Sequence, residues 1–340
     1  MRSLVFPRVT KDPSARPFAQ LFRAIDLIHE ALVSGVPVTK RDIYYNDVQL
    51  FRSQATVDRL IDDLAATLHL TRADLNVRAS SKGLICGSGI TIHMQSGETL
   101  EISDGDASLI PQAEDIERFT VAQTLAWVLV VEKEAVFQTL CKLRLAAHQA
   151  FPGSGLIVTG KGYPDVATRQ LVKTLSDNLP AHVPILALVD GDAYGIDILS
   201  VYKHGSTRMR HENAHLAADR LQWIGLWASE LASLGVGKDA LLPITKHDEK
   251  KARTLLKRAN LPAQWRKELQ HMLFSRRKAE IEVLGAAWVY PAEASVADLA
   301  TDGPLRFPDR PQAGRSPGTP LLRYLIRKIC QACADSAYDD

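Results

Sequence analysis

Apolar residues at Phe18, Leu21, Phe22, Ile25, Ile28 and Leu32 recur at the three-to-four-residue spacing of a helix face. That pattern predicts a helix from Pro17 to Leu32. The stretch SGVPVT interrupts it. Thr39, with Asp42 three residues on, then forms a variant capping box that opens a second helix. Ser53 is placed to cap a third, QATVDRLIDDLAATL, in which Val57, Leu60, Ile61 and Leu64 make one stripe. Three helices with short connections predict a helix-turn-helix core. The apolar runs LICG and GITIHM, the turn QSG and the run TLEIS follow, and read as a β-hairpin wing. Residues 17–105 are therefore expected to form a winged-helix module, a class that binds DNA or serves as a protein contact. Residues 1–16 form an N-terminal extension.

The pattern changes after DGDASLIP. LAWVLVV reads as a buried strand ending just before Glu132, and EAVFQTLCKLRLAA as a helix. Strand GLIVTG, helix VATRQLVKTLSDNL and strand PILALV follow, the last running into Asp190. This alternation predicts a mixed α/β fold built on a parallel sheet. The segment from Asp302 to Pro320 holds five prolines and three glycines and reads as a loop. A final amphipathic helix carries Leu321, Leu322, Leu325, Ile326 and Ile329, a face expected to dock on the domain.

Composition narrows the class. Of 340 residues, 46% are hydrophobic and 24% charged, the balance of a soluble globular protein. The longest apolar run, Leu125 to Val131, has 7 residues, too few to span a bilayer. No membrane partner is expected, and MRSLVFPRVTKDP lacks the apolar core of a signal peptide. Four scattered cysteines, Cys86, Cys141, Cys330 and Cys333, do not make a disulfide framework and suit a reducing compartment. The net charge is only +2, yet Val201 to Glu280 holds 16 Lys and Arg against 8 Asp and Glu. A basic region in an otherwise slightly acidic chain suits a polyanion or a solvated helical surface.

Candidate chemistry lies at strand ends. Carboxylates past the carboxyl ends of parallel strands occupy the functional edge of such a sheet. Glu132, from VVEKEAVF, and Asp190 with Asp192, from LVDGDAYG, are expected to share that edge. Three hard oxygen ligands with room for water suit Mg²⁺. TGKGYPD adds a glycine turn in which Lys161 could hold phosphate. Near the N-terminus, RDIYYND sets Tyr44 and Tyr45 beside Arg41. Neighbouring helical residues point about 100° apart, so at most one of them faces a common target. Spacing does not choose between them. Arg41 is one turn before Tyr45 and shares its face. A competing motif, His211-Glu212-Asn213-Ala214-His215, matches the HExxH zinc signature. The longer metzincin pattern fails, with Ala218 and Leu221 at its glycine and third-histidine positions.

Taken together, KRDIYYNDVQLFRSQATVDRLIDDLA, LVVEKEAVF, VTGKGYPDVATR and LVDGDAYGIDILSVYKHGS resemble the meiotic recombination-initiating DNA transesterases, a family homologous to the topoisomerase VI A subunit. The resemblance is collinear from about Phe18 to at least Leu226. It implies a winged-helix domain carrying a catalytic tyrosine, then a Toprim metal-binding domain with a C-terminal extension over residues 106–340. It selects Tyr45 as the nucleophile, with Arg41 assisting and Tyr44 packing. It assigns Glu132, Asp190 and Asp192 to Mg²⁺. The implied activity is double-strand cleavage through a 5′-phosphotyrosyl link. The alternative is a topoisomerase VI A subunit, and the remote one a non-catalytic DNA-binding module. The resemblance further implies double-stranded DNA, a cleaving homodimer, a topoisomerase VI B-like subunit, other break-formation proteins and a nuclear setting. Lys161, Lys203, Arg208 and Arg210 are candidate DNA contacts, directed to backbone phosphates rather than bases. No Walker A signature appears in the sequence, so ATP dependence would belong to a partner.

Overall fold

A computed structural model describes residues 15–78, 80–285 and 320–337, with the side chains of Thr207, Arg208 and His211 excepted. The proline-rich stretch up to residue 319 and the N-terminal extension through residue 14 lie outside the described residues. The chain divides into two compact units, residues 1–81 with Gly205–Leu216, and residues 82–204 with 217–340.

The smaller unit is helical. It contains α1 (Ala15–Ser34), β1 (Val38–Thr39), α2 (Lys40–Asn46), α3 (Val48–Phe51), α4 (Gln54–Leu68) and β2 (Val77–Arg78). The capping box forms as expected: the Thr39 hydroxyl accepts from the Asp42 amide at 3.0 Å, and the Asp42 carboxylate accepts from the Thr39 amide at 2.9 Å. Ser53 does precede α4, but its hydroxyl meets that of Thr56 rather than a helix amide. Ala24, Leu27, Ile28, Ile43, Phe51, Val57, Ile61 and Ala65 form the core.

The larger unit begins with β3 (Leu84–Gly87), β4 (Ile90–Met94), β5 (Thr99–Glu101), β6 (Ser108–Leu109), β7 (Ile116–Val121) and β8 (Leu125–Val131). It continues through α5 (Glu134–Lys142), β9 (Ser154–Thr159), α6 (Val166–Asn178), β10 (Ile185–Leu188) and α7 (Ala193–His204). The chain then gives α8 (Asn213–Leu216) to the smaller unit and returns as β11 (Leu221–Gly225). Next come β12 (Leu242–Pro243), α9 (Lys246–Leu256), α10 (Ala263–Ser275), β13 (Arg277–Lys278) and, last, α11 (Pro320–Ser336). The six-stranded sheet runs β11-β10-β8-β9-β3-β6, and its first four strands are parallel. The expected parallel α/β core is thus present, and α11 buries Leu321, Leu325, Ile326 and Ile329 against it.

The wing is drawn differently from the sequence expectation. The hairpin of β4 and β5 forms around Gly97, but β7 pairs on its other side. β3 does not join the hairpin: it lies antiparallel to β9 inside the large sheet, with all four residues buried. An apolar run with two buried faces seeks a sheet interior, and that places the strands from Leu84 onward in the larger unit. The boundary accordingly falls at Ser81/Lys82 rather than near residue 105.

Candidate active site

The carboxylate edge arises from strand order. β8 leads to β9 on one side, and the chain then crosses back so that β10 pairs with the opposite side of β8. The side on which the next strand is added reverses at β8 while all these strands stay parallel, and such a switch point opens a crevice past the carboxyl ends. Glu132 follows β8 directly, and Asp190 lies two residues past β10. The Asp190 amide donates to Glu132 Oε2 at 2.8 Å. Asp190 Oδ1 accepts from the Ile281 amide at 2.9 Å. Asp192 Oδ1 accepts from the amides of Tyr194 and Gly195, both at 2.8 Å. Each carboxylate is therefore fixed through one oxygen. Gly195 is required here, because a Cβ would lie 2.4 Å from the Asp190 carbonyl oxygen and 3.1 Å from Glu132 Oε2.

The second oxygens of the aspartates face cations. Lys133 Nζ lies 3.2 Å from Asp190 Oδ2 and also pairs with Glu280 and Glu282. Lys278 Nζ lies 3.8 Å from Asp192 Oδ2 and 3.1 Å from Asp248. These lysines, and Asp248, Glu280 and Glu282 beside them, were not singled out from the sequence; Lys133 adjoins Glu132, but Lys278 reaches the site through the bridge between Gly191 and Ala279. Burial, then the neighbouring charge of Asp190, pushes Glu132 up to about 8. Burial pushes Asp190 up to about 6 and also raises Asp192. Desolvated carboxylates that repel one another favour a cation among them. Among the described residues, though, no group of three or more His, Cys, Asp or Glu side chains is arranged to hold a metal ion. The donor set suits a hard divalent cation in chemistry. Its side chains stand on backbone amides and lysines rather than on a common point.

Beside this edge, Lys161 takes a left-handed backbone, with φ of 51°, and its ammonium pairs with Glu134 at 2.9 Å. Asp165 caps α6 through the Thr168 amide and also accepts from the Lys82 and Gly83 amides. It anchors the start of the larger unit to the glycine turn. Tyr163 donates to Asp197 at 2.7 Å, which is also paired with Lys251 and Arg258.

The tyrosine pair separates in the smaller unit. Tyr44 packs on the helical core, whereas Tyr45 is 58% exposed. Their ring centroids are 5.2 Å apart, and the Arg41 guanidinium lies 5.6 Å over the Tyr45 ring. Arg41 and Tyr45 thus share a helix face.

Other expected contacts fare differently. The Lys203 ammonium, an expected DNA contact, is turned onto the carbonyl oxygens of Asp219 and Leu221, at 2.5 and 2.7 Å. Arg210 is exposed, while the Arg208 side chain lies outside the described residues. Part of the basic surplus is structural: Arg220 donates to the carbonyls of Ser176, Leu179, Pro180, Ala181 and Val183. The HExxH match spans a 3-10 turn, Thr207–Glu212, kinked at Met209, and the four-residue α8, not the regular helix a zinc pair needs. Glu212 is buried, and His211 has a side chain outside the described residues. Cys330 and Cys333 point at the carbonyls of Ala150 and Ala126, as packing thiols. Among the described residues no helix is long and apolar enough to cross a membrane.

Comparison with known proteins bears on both units. A family described as the Toprim domain of Spo11 and the topoisomerase 6 A subunit matches residues 127–290, and one described as type IIB DNA topoisomerase matches residues 16–77. The chain is 39% identical over 275 residues to meiotic recombination protein SPO11 of Mus musculus, an alignment covering 80% of this chain and 67% of the relative. It is 39% identical over 268 residues to meiotic recombination protein rec12 of Schizosaccharomyces pombe, covering 78% and 73%. It is 38% identical over 288 residues to the A3 subunit of DNA topoisomerase 6 of Oryza sativa subsp. indica, covering 80% and 63%.

Proposed function

The chain belongs to the family of Spo11 and the topoisomerase 6 A subunit, and from that premise we propose that it forms meiotic DNA double-strand breaks by tyrosine transesterification, initiating homologous recombination. The observation that carries this reading is that one unit exposes Tyr45 beneath Arg41 while the other, taken by itself, buries the carboxylates of Asp190 and Asp192 at a sheet switch point.

Free tyrosine, with a pKa of about 10, is a weak nucleophile at neutral pH and needs help from its surroundings. Tyr45 Oη attacks a DNA phosphorus, and the 3′ oxygen leaves with a proton. The enzyme keeps the 5′ phosphate as an ester, so no water is consumed. Arg41, on the same helix face, offsets negative charge developing on the phosphate oxygens. Glu132, Asp190 and Asp192 would hold Mg²⁺, which when bound orients the phosphate and neutralises its charge. Lys133 and Lys278 hold the two aspartates in place and balance their charge before binding. Lys161 and Arg210 contact backbone phosphates.

One tyrosine breaks one strand, so two protomers about a two-fold axis make the double-strand break. The tyrosine of one protomer serves the carboxylate edge of its partner. A B-like subunit supplies ATP dependence, other break-formation proteins join it, and the setting is the nucleus. The 38% identity to a topoisomerase 6 A-type relative supports a second reading, strand passage with a B-type partner.

The test is covalent trapping. The chain is expressed in a meiotic host, denatured and immunoprecipitated, and attached DNA is labelled at its 3′ end. Label on wild type and none on Tyr45→Phe is expected. Label absent from both, with DNA bound and a related active protein trapped in parallel, would sink the reading. Relaxation of supercoiled DNA on adding ATP with a B-type partner would favour strand passage instead.

A further inference from the structure

We propose that a cavity beside Arg41 is a second phosphate subsite, seating a DNA backbone phosphate other than the one Tyr45 attacks. The proposal rests on the transesterase reading and adds to it a site that sets strand register. The cavity has a volume of about 260 Å³, and its walls include Thr39, Lys40, Arg41, Asp58, Arg72 and Arg78. All of these lie in the smaller unit. Parallel pairing of β1 with β2 sets Thr39 opposite Arg78, which brings residues distant in sequence to one concavity.

Charge selects the ligand. Four cations line the cavity against the one carboxylate of Asp58. Just behind, Asp62 serves both Lys40, at 2.5 Å, and Arg72, at 2.7 Å. These three side chains are only 16 to 17% exposed, so one carboxylate balances two cations in a partly desolvated place. Arg72 Nε is buried and has no hydrogen-bond partner. The Lys40 ammonium is held below its ordinary range, first by burial and then by the charge of Arg72. Four cations thus stand against the two carboxylates of Asp58 and Asp62. A divalent cation has the wrong sign, and an apolar ligand offers no acceptor to the guanidinium groups in the walls. A phosphodiester brings one negative charge and oxygens that accept from guanidinium forks.

Position gives the role. Arg41 forms part of the wall, and its guanidinium lies over the Tyr45 ring. A strand held by Lys40, Arg72 and Arg78 is held next to the nucleophile. These are positioning residues, because they act on a phosphate that does not react.

The test uses the full chain, with any partner it needs, and duplexes carrying one uncharged methylphosphonate linkage at successive positions. Wild type is expected to lose about tenfold in affinity at one linkage other than the cleaved one. Arg78→Gln is expected to bind unmodified DNA about tenfold more weakly, with a salt slope shallower by about one ion. It should also lose the sensitivity at that one linkage while keeping it elsewhere, and Arg78→Lys should recover part of it. Wild type with no sensitive linkage besides the cleaved one would overturn the subsite, whatever the variants do. Matching penalties in wild type and a folded Arg78→Gln at every linkage would also overturn it, with Tyr45 adducts still forming. Absence of both duplex binding and Tyr45 adducts in wild type would overturn the transesterase reading and the subsite together.

Discussion

On the proposed transesterase reading, the two units present their reactive groups in opposite ways. Tyr45 stands on a small helical body and is 58% exposed, whereas Asp190 is 6% exposed at the edge of a six-stranded sheet. A nucleophile that must reach a phosphorus held elsewhere gains from exposure. Ligands that bind a cation gain from desolvation and from fixed orientation, and here each carboxylate is tied to a backbone amide. The difference separates where bond-making groups come from and where charge is managed. It also accounts for the lysines at the carboxylate edge, which balance charge in a site built around a deficit of cations.

The sharpest way to break the comparison is at the exposed pole. Tyr45→Phe should lower adduct formation by at least about 10³-fold, as expected for loss of a covalent nucleophile, with duplex affinity unchanged. Tyr44→Phe should lower it by less than about tenfold, because that ring packs on the core. Equal losses in a quantitative trapping assay would undo the distinction.

At the buried pole, Glu132→Gln should reduce cleavage by about 10²- to 10³-fold, the scale of losing one electrostatic stabiliser. The same change should raise the melting temperature measured in chelator at neutral pH, because a carboxyl pushed up to about 8, first by burial, costs stability above its ordinary titration range, whereas the amide does not titrate. Mg²⁺ should stabilise wild type more than the variant. A fall in melting temperature in chelator would show that Glu132 is held by its hydrogen bond from Asp190 rather than opposed by burial.

Lys203 gives a smaller effect that separates structure from recognition. Lys203→Met removes donors to the carbonyls of Asp219 and Leu221, and should lower the melting temperature by a few degrees with no change in DNA affinity. A steep loss of affinity at unchanged stability would restore it to the DNA surface.

The smallest expected effect is in acid. Burial alone would raise Asp197, but hydrogen bonds from Lys251 and Tyr163 and the charge of Arg258 outweigh it and hold the carboxyl below its ordinary value. A folded-state value below the unfolded one contributes stability above about pH 4, lost as pH falls through the depressed value. Asp197→Asn should therefore flatten the acid limb of a stability curve and leave its shape at neutral pH unchanged.

The parts legible in sequence were those decided locally. Leu125–Val131 is an uninterrupted apolar run and forms β8 with those bounds, and the Thr39–Asp42 box opens α2 as its spacing requires. Glu132, Asp190 and Asp192 were legible because strand ends are local features and strand alternation predicts one edge. Choosing Tyr45 over Tyr44 required the family resemblance, and burial gives the physical counterpart: one ring packs and the other does not. What stayed hidden depends on long-range pairing. β3 looked like half of a wing, but its partner β9 lies some seventy residues on, and no local pattern distinguishes a buried strand of one sheet from that of another. Lys278 reaches Asp192 through a loop that only the tertiary fold brings near. The basic segment misled for a related reason, since the formal charge of Lys203 and Arg220 says nothing of the carbonyls they serve.

The most direct measurement is to locate the bond. Trapped adducts are digested with nuclease and trypsin, and the peptide Asp42–Arg52, which contains both tyrosines, is sequenced by fragment-ion mass spectrometry. A nucleotide joined through its 5′ phosphate to Tyr45, with Tyr44 unmodified, is the expected result. A nucleotide on Tyr44, a link through a 3′ phosphate, or an unmodified peptide from DNA-linked protein would contradict it.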